Sequence, residues 1–142
     1  MSGRRKTLEE IFLAHKGKVS DKWALYIAEY ERFFREYRDR PVKLLEIGVQ
    51  NGGSLEIWAE YFANGSLFVG CDSDPSCSEL SFEDPRIVLV IGDINHNSTK
   101  DKILSHTQAF DIVIDDGSHH SKDIIQAFSM YFPVVKNQGM YI

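Results

Sequence analysis

The sequence predicts an α/β fold, and three observations lead to this prediction. Short apolar runs alternate with segments whose apolar residues recur at helical spacing. The runs are continuously apolar, as expected of strands buried on both faces. Four of them end in glycine or aspartate. Because strands joined through helices lie parallel with right-handed crossovers, we expect a three-layer Rossmann-like sandwich with a mainly parallel sheet in the order 3-2-1-4-5, preceded by N-terminal helices.

The N-terminal segment is predicted to form two helices. Thr7 to Glu10 is a Thr-x-x-Glu capping box, which indicates the start of a short helix. A second helix is predicted to run to about Arg38, with Ser20 or Asp21 as its cap. Its apolar residues form a stripe that we expect to pack on the domain, or alternatively to form a lid or a dimer surface. The stripe consists of Trp23, Tyr26, Ile27, Tyr30, Phe33, Phe34 and Tyr37.

The first two strands flank a helix that begins after a glycine-rich turn. Val42 to Gly48 is predicted to be the first strand and Ser66 to Asp72 the second. Between them, Leu55 to Phe62 has the apolar spacing of a helix lying on the sheet. Gly65 is predicted to end this helix in a left-handed cap.

The same alternation continues to the last residue. The predicted elements are strand 3 at Arg86 to Asp93, a helix at Thr99 to Thr107, strand 4 at Phe110 to Asp115, a helix at Lys122 to Phe132 capped by Ser121, and strand 5 opening at Gly139. The last helix carries apolar residues at helical spacing, which are Ile124, Ile125, Phe128 and Phe132.

The chain stops inside strand 5, which would leave an apolar strand as an uncovered edge. We therefore expect it to be part of a longer protein, with the C-terminal part of the core missing. Residues 1–40 are expected to be a helical segment packing on the cofactor-binding core at 41–142.

Composition and charge exclude several classes of function. The net charge of -5 argues against a nucleic-acid surface, which normally shows a basic patch. No segment approaches the roughly 18 apolar residues that span a bilayer, and no apolar run follows the basic N-terminus. Cys71 and Cys77 lack the spacing of a metal or redox motif and are interpreted as reduced and structural. We expect a cytoplasmic protein.

A glycine-rich turn and a strand-terminal acid predict a nucleoside site. Gly48, Gly52 and Gly53 follow strand 1 and let backbone approach a ligand closely. Asp72 ends strand 2, 24 positions after Gly48 (from 48 to 72), and its carboxylate suits the hydroxyls of a ribose. The alternative is a tight turn with a capping aspartate. The turn is not the Gly-x-Gly-x-x-Gly that clamps a pyrophosphate, which argues against a nicotinamide cofactor.

Chemically reactive side chains gather after strand 4. Phe110 to His120 delivers two adjacent acids and two adjacent imidazoles to the carboxyl end of a strand, where ligands bind in open parallel sheets. An imidazole accepts protons near neutral pH, and carboxylates bind hard cations. The alternative is an ordinary Asp-Gly-Ser turn.

These segments resemble a known enzyme family. Glu46-Ile-Gly48 resembles motif I of the class I S-adenosylmethionine-dependent methyltransferases. The later segments resemble, more narrowly, the metal-dependent sugar O-methyltransferases of macrolide and related antibiotic pathways, including rhamnosyl O-methyltransferases, and the resemblance covers roughly Ser20 to Ile142. The segments are Gly53 to Phe62, Phe68 to Asp72, Gly92-Asp93 and Phe110 to His119, together with Ser20 to Trp23 and Tyr30 to Phe33.

The resemblance implies a role for each matching residue. The residues implied around the methionine part of S-adenosylmethionine are Glu46, Gly48, Gly52, Gly53 and Ser54. Asp72 would hold the ribose, and Asp93 with Ile94 would border the adenine. Asp116 would ligate magnesium and His119 would be the general base, while Asp115 would be a neighbour of the cofactor or an acid that supports the metal ligands. Apart from the resemblance, His120 is interpreted as a solvent-exposed neighbour. In the family, further metal-binding acids follow strand 5, and here nothing follows Ile142.

The leading hypothesis is an O-methyltransferase that methylates a hydroxyl of a sugar or small natural product with S-adenosylmethionine, a magnesium ion and a histidine base. The partner is then a small-molecule acceptor, and a homo-oligomer is left open. One alternative is a non-catalytic, truncated module that binds the cofactor or a partner. Others are a nicotinamide-dependent oxidoreductase and a metal-dependent hydrolase that uses Asp115, Asp116, His119 and His120.

Overall fold

A computed structural model describes residues 3–17 and 24–142. Within them, five parallel strands form one sheet. The strands are β1 (Lys43–Ile47), β2 (Leu67–Asp72), β3 (Ile87–Ile91), β4 (Phe110–Asp115) and β5 (Val135–Tyr141). The helices are α1 (Leu8–Ala14), α2 (Ala24–Phe34), α3 (Gly53–Tyr61), α4 (Asn97–Leu104) and α5 (Ser121–Tyr131). The strand order is β3-β2-β1-β4-β5, which confirms the predicted fold class and topology.

Two hydrophobic clusters cover the two faces of the sheet. Alternate residues of a strand point to opposite faces, and β1 divides accordingly. Leu44 packs in the cluster formed with α1, α2 and α3. Leu45 and Ile47 pack in the other cluster, which contains Ile103 of α4 and Tyr131 of α5. The helices therefore form layers on both sides of the sheet, as in the predicted sandwich.

The N-terminal helices agree with the sequence in part. The capping box at Thr7 is confirmed, because the Thr7 hydroxyl accepts from the amide of Glu10 and the Glu10 carboxylate accepts from the amide of Thr7. The predicted caps of α2 and the first stripe residue lie outside the described residues; they are Ser20, Asp21 and Trp23. Within the described part of the stripe, Ile27, Phe34 and Tyr37 are buried, whereas Tyr26 and Phe33 are exposed. The packed face of α2 is thus narrower than predicted.

The predicted left-handed cap at Gly65 is wrong. Helix α3 ends at Tyr61, and the described glycines with positive φ are Gly48 and Gly52. Arg86 satisfies the end of α3 instead, because its guanidinium donates to the carbonyl oxygens of four residues; they are Ala59, Phe62, Ala63 and Gly65. A Cβ at Gly65 would lie 2.5 Å from the ring of Phe68. A glycine is therefore needed there for packing rather than for left-handed backbone.

The start of α5 and the start of β5 also differ from the prediction. Ser121 is the first helical residue, and His120 occupies the N-cap position without a side-chain hydrogen bond. Strand β5 begins at Val135, and the ladder to β4 is irregular between the pairs made by Phe110 and Ile112. The apolar residues predicted at helical spacing here remain substantially exposed; they are Ile124, Ile125 and Phe128 of α5 and Phe132 directly after it. No helix in residues 3–17 or 24–142 has the length and apolarity to cross a bilayer.

Candidate functional site

A cavity of about 410 Å³ opens at the carboxyl ends of β1, β2, β3 and β4. This volume lies within the range of small-molecule sites, roughly 300–1,000 Å³. Five of the residues predicted for the site line the cavity, one or two from each strand end. They are Gly48, Asp72, Asp93, Ile94 and Asp116. The structure therefore brings these five residues together at one cavity.

Gly48 brings the turn after β1 against the loop after β4. Its φ is +88°, and a Cβ there would lie 2.3 Å from the carbonyl oxygen of Asp116. The amide of Gly48 donates to the carbonyl of Cys71 at 2.8 Å, and the amide of Asp116 donates to the carbonyl of Ile47 at 2.9 Å. Both the backbone conformation and the close approach require glycine at this position.

Asp72 organises the glycine-rich turn from the neighbouring strand. Its Oδ2 accepts from the amides of Val49 at 2.8 Å and Gln50 at 3.1 Å, and its Oδ1 accepts from the amide of Asp74 at 2.9 Å. Gln50 has a φ of +50°, which is unusual for a residue with a side chain. The carboxylate of Asp72 thus fixes the backbone of the turn, and Asp72 itself is one of the residues that line the cavity.

Glu46 lies beneath α3 and does not line the cavity. Its carboxylate belongs to a residue with 0% exposure and accepts from Ser54 Oγ at 2.5 Å and from Trp58 Nε1 at 2.6 Å. Gly52, with a φ of +82°, is the N-cap residue of α3, and Gly53 is its first residue. A buried carboxylate without partners would be costly, and these two donors supply hydrogen bonds to the charge inside β1. Four residues predicted to contact the cofactor thus lie at or beneath the start of α3 and are not among those that line the cavity. They are Glu46, Gly52, Gly53 and Ser54.

The two adjacent acids at the end of β4, Asp115 and Asp116, lie in different surroundings. Asp115 is turned toward β5, because its Oδ2 accepts from the hydroxyl of Tyr141 at 3.0 Å and its Oδ1 from the amide of Gly117 at 3.4 Å. Burial, and then the Asp115 charge, raise the pKa of Tyr141. Asp116 lines the cavity, whereas Asp115 does not. His119 lies on the exposed loop beyond, outside the residues that line the cavity.

A complete metal site is not formed within residues 3–17 and 24–142. These residues hold no group of three or more His, Cys, Asp or Glu side chains arranged to bind a metal ion. Asp116 is the predicted metal ligand that reaches the cavity. Magnesium binds through several oxygen ligands and usually keeps some of its waters, so Asp116 would supply one position in its coordination shell.

Sequence reasoning missed a polar group between the loop after β4 and the turn after β3. Ser118 Oγ donates to Asp123 Oδ2 at 2.8 Å, and Asn95 Nδ2 donates to the carbonyl oxygen of Asp123 at 3.4 Å. All three residues line the cavity. The available signal was position, because Asn95 and Ser118 lie in the short loops that follow the ends of β3 at Ile91 and of β4 at Asp115.

Cys71 contributes a protonated thiol to the cavity wall. Burial, followed by the charges of Asp72 and Asp93, raises its pKa from 9.0 to about 12. The thiol is also close to the carbonyl oxygen of Gly92, at 3.6 Å. The predicted structural role of this cysteine agrees with an unreactive thiol that packs between strand ends.

Comparisons with known proteins extend this description. No family model matches the chain. The chain is 36% identical over 132 residues to the 8-demethyl-8-alpha-L-rhamnosyl tetracenomycin-C 2'-O-methyltransferase of Streptomyces olivaceus, covering 87% of this chain and 34% of the relative. It is 36% identical over 124 residues to the mycinamicin VI 2''-O-methyltransferase of Micromonospora griseorubida, covering 82% of this chain and 30% of the relative.

The chain is also similar in three dimensions to a solved methyltransferase structure. The MycE methyltransferase in complex with Mg, SAH and mycinamycin VI matches with a TM-score of 0.80 and 33% identity, covering 97% of this chain and 36% of that chain. The chain thus spans about a third of the length of the relatives it matches. These relatives confirm the resemblance predicted from the sequence.

Proposed function

We propose that this chain, a homologue of sugar O-methyltransferases, binds S-adenosylmethionine and forms the cofactor-binding part of an enzyme that methylates a hydroxyl group. The observation that carries the proposal is the single cavity that Gly48, Asp72 and Asp93 line, at or just beyond the ends of neighbouring strands. Crevices at the carboxyl ends of parallel strands are the usual ligand sites of such sheets. The solved relative holds SAH, the product form of this cofactor.

The cofactor would extend across the strand ends. Asp72 would accept hydrogen bonds from the ribose hydroxyls, Asp93 and Ile94 would border the adenine, and the methionine part would lie against Gly48. Glu46, Gly52, Gly53 and Ser54 would act through the backbone of the turn, since they lie at or beneath the start of α3. Asp115 would likewise act indirectly, by holding the loop that carries Asp116.

The acceptor would be a hydroxyl group of a sugar or small natural product. Methyl transfer to an alcohol is an in-line displacement in which the hydroxyl proton must leave, and we propose His119 as the base that takes it. General-base help of this kind contributes about 10²–10⁴-fold. Asp116 would be one of the groups that hold a magnesium ion of the kind bound by the solved relative. When bound, such an ion would supply Lewis acidity toward an acceptor hydroxyl.

Cofactor binding is tested by titrating SAH into the protein in a calorimeter. We expect saturable binding, and about tenfold weaker binding by Asp72→Asn, which removes the charge from the hydrogen-bonded acceptor. Asp101→Asn, at an exposed position on α4, is the matched control and should bind like the wild type. Absence of binding at high micromolar SAH would contradict the proposal.

The base is tested in the protein with S-adenosylmethionine, magnesium and a relative's acceptor, mycinamycin VI. His119→Ala should lower turnover by about 10²–10⁴-fold and leave SAH affinity unchanged, whereas His120→Ala should retain turnover. Equal turnover of His119→Ala and wild type would remove His119 from the mechanism.

The exposed position of His119 and the incomplete metal site favour one second candidate. In this alternative the chain binds the cofactor, or a partner, without catalysing transfer. Both forms of this alternative predict no methylation under the same conditions, even at high protein concentration, and the cofactor-binding form predicts SAH binding as well.

A further inference from the structure

The cavity at the strand ends is lined by charges of one sign. Four of the residues around it are aspartates, and the described residues that line it include no lysine, arginine or histidine. The four are Asp72, Asp93, Asp116 and Asp123. His96 lies outside the cavity, 3.6 Å from Asp93, and its imidazole is charged only when protonated. The proposed cofactor site therefore has a negative electrostatic potential.

Asp123 is the member of this set that comes from a helix, in the first turn of α5. Its Oδ2 accepts from Ser118 Oγ at 2.8 Å, and its main-chain carbonyl accepts from Asn95 Nδ2 at 3.4 Å. Ser118 and Asn95 also line the cavity, so Asp123 is tied to the loop after β4 and to the turn after β3. Because Ser118 is a neutral donor, its hydrogen bond leaves the negative charge of Asp123 in place.

The two forms of the proposed cofactor differ in charge at one atom. S-adenosylmethionine has a sulfonium with a positive charge, whereas SAH has a neutral thioether, and their other charged groups are the same. The energy between two charges falls only as the inverse of their distance, so a carboxylate can act on a sulfonium without touching it. Salt screens this interaction beyond about 10 Å at 0.1 M ionic strength. Charge in the wall of a cavity thus distinguishes the two forms.

We propose that Asp123 is a specificity-determining residue that favours the cationic S-adenosylmethionine over the neutral SAH, an inference that rests on the proposed function. The other three acids add to the same potential, but each is also proposed to contact a ligand or a metal ion. Asp123 is therefore the acid whose charge can be removed without removing such a contact. On methyl transfer the electron pair of the broken C–S bond stays on sulfur and neutralises it, so the same carboxylate holds the product less tightly than the methyl donor.

The experiment measures the affinities of S-adenosylmethionine and SAH by calorimetry, at about pH 8, where an ordinary imidazole is neutral, and with a chelator that removes divalent metal ions. Asp123→Asn removes the charge and keeps an acceptor for Ser118. We expect this variant to lower the ratio of S-adenosylmethionine affinity to SAH affinity by about fivefold, through weaker binding of S-adenosylmethionine.

Glu60→Gln is the matched control, because it makes the same change in net charge at an exposed position of α3. Glu60 lies roughly 10 Å along the helix from its first residue, Gly53. This control should keep the wild-type ratio, and so should Asp123→Glu, which retains the charge. At about 1 M salt, where charges are screened beyond about 3 Å, the difference between wild type and Asp123→Asn should shrink.

A purely structural role of Asp123 predicts a different result. An acid in the first turn of a helix stabilises that helix through its dipole, so losing it would lower stability or weaken both ligands equally, without changing their ratio. Equal shifts in the two affinities would therefore overturn this inference alone, as would an equal change of the ratio in Glu60→Gln. If the wild type binds neither ligand, the proposed function fails and this inference fails with it. Asp123→Ser is a second neutral variant, with the same expected loss, should the asparagine variant fold poorly.

Discussion

Glu46→Gln tests whether the buried acid of β1 supports the fold or contacts the cofactor. The resemblance implies a contact with the methionine part, whereas the structure ties the carboxylate to Ser54 and Trp58 beneath α3. Glutamine keeps the size of the side chain and one acceptor but removes the charge. The two interpretations therefore predict opposite patterns of stability and affinity.

The magnitude follows from the chemistry of the two donors. A glutamine can direct Oε1 at Trp58 Nε1, which only donates, and direct Nε2 at Ser54 Oγ, whose hydroxyl can rotate and accept. Both bonds then survive without the charge, so we expect a loss of about 1 kcal/mol in the free energy of unfolding. Glu46→Leu leaves both donors buried without this acceptor and should lose about 3–4 kcal/mol.

The assay is urea unfolding together with SAH titration of each variant. We expect the leucine variant to be the less stable by at least about 2 kcal/mol, and SAH affinity of the glutamine variant to stay within about threefold of wild type. Glu60→Gln, exposed on the same helix, should change neither quantity. A tenfold or larger loss of SAH affinity in Glu46→Gln with unchanged stability would refute the reasoning and restore the direct contact.

Three further predictions concern the backbone, the end of α3 and pH. Gly48→Ala should lose at least about 2 kcal/mol in urea unfolding, because its φ is +88° and the new Cβ would meet Asp116; wild-type stability would contradict the geometry. Arg86→Lys should lose about 2–3 kcal/mol, since an ammonium cannot reproduce the guanidinium's hydrogen bonds to four carbonyl oxygens; the exposed control Arg32→Lys should be neutral. The pKa of Cys71 is raised from 9.0 to about 12, so its contribution to stability is fully present below pH 9.0 and is lost as the pH rises toward 12. In the wild type, stability should therefore fall above pH 9, and Cys71→Ala should make this fall less steep by up to about 1.4 kcal/mol per pH unit. An unchanged slope in urea unfolding would count against a buried protonated thiol.

The order and topology of the sheet were predictable because they depend on patterns local to each segment. Strand 4 was predicted with the bounds that the structure shows, from Phe110 to Asp115. The cap at Gly65 failed because glycine after a helix has two explanations, a left-handed conformation or close packing, and only the position of Phe68 decides between them. Phe68 lies only three positions after Gly65, but the placement of its ring depends on packing in the core, which the local sequence does not show.

The position of Glu46 beneath α3 could have been predicted from the sequence. Alternation along β1 assigns Leu44 and Glu46 to one face and Leu45 and Ile47 to the other, and Leu44 packs with α3. Applying the period of two would have placed the carboxylate beneath the helix that follows the glycine turn. The distinction between Asp115 and Asp116 follows the same rule, but the partner of Asp115 is Tyr141, 26 positions later along the chain.

The close contact between Gly48 and Asp116 links the cofactor turn to the loop proposed for chemistry. The space that a side chain at Gly48 would fill is occupied by the carbonyl of Asp116, at 2.3 Å from the Cβ position. The amide of Asp116 is also tied to Ile47, the residue before the turn. A ligand that shifts the turn must therefore shift Asp116, because the two backbones cannot approach further. The position of the methyl donor and the position of the Asp116 carboxylate would thus be set together, and positioning of this kind contributes to rate without a new functional group.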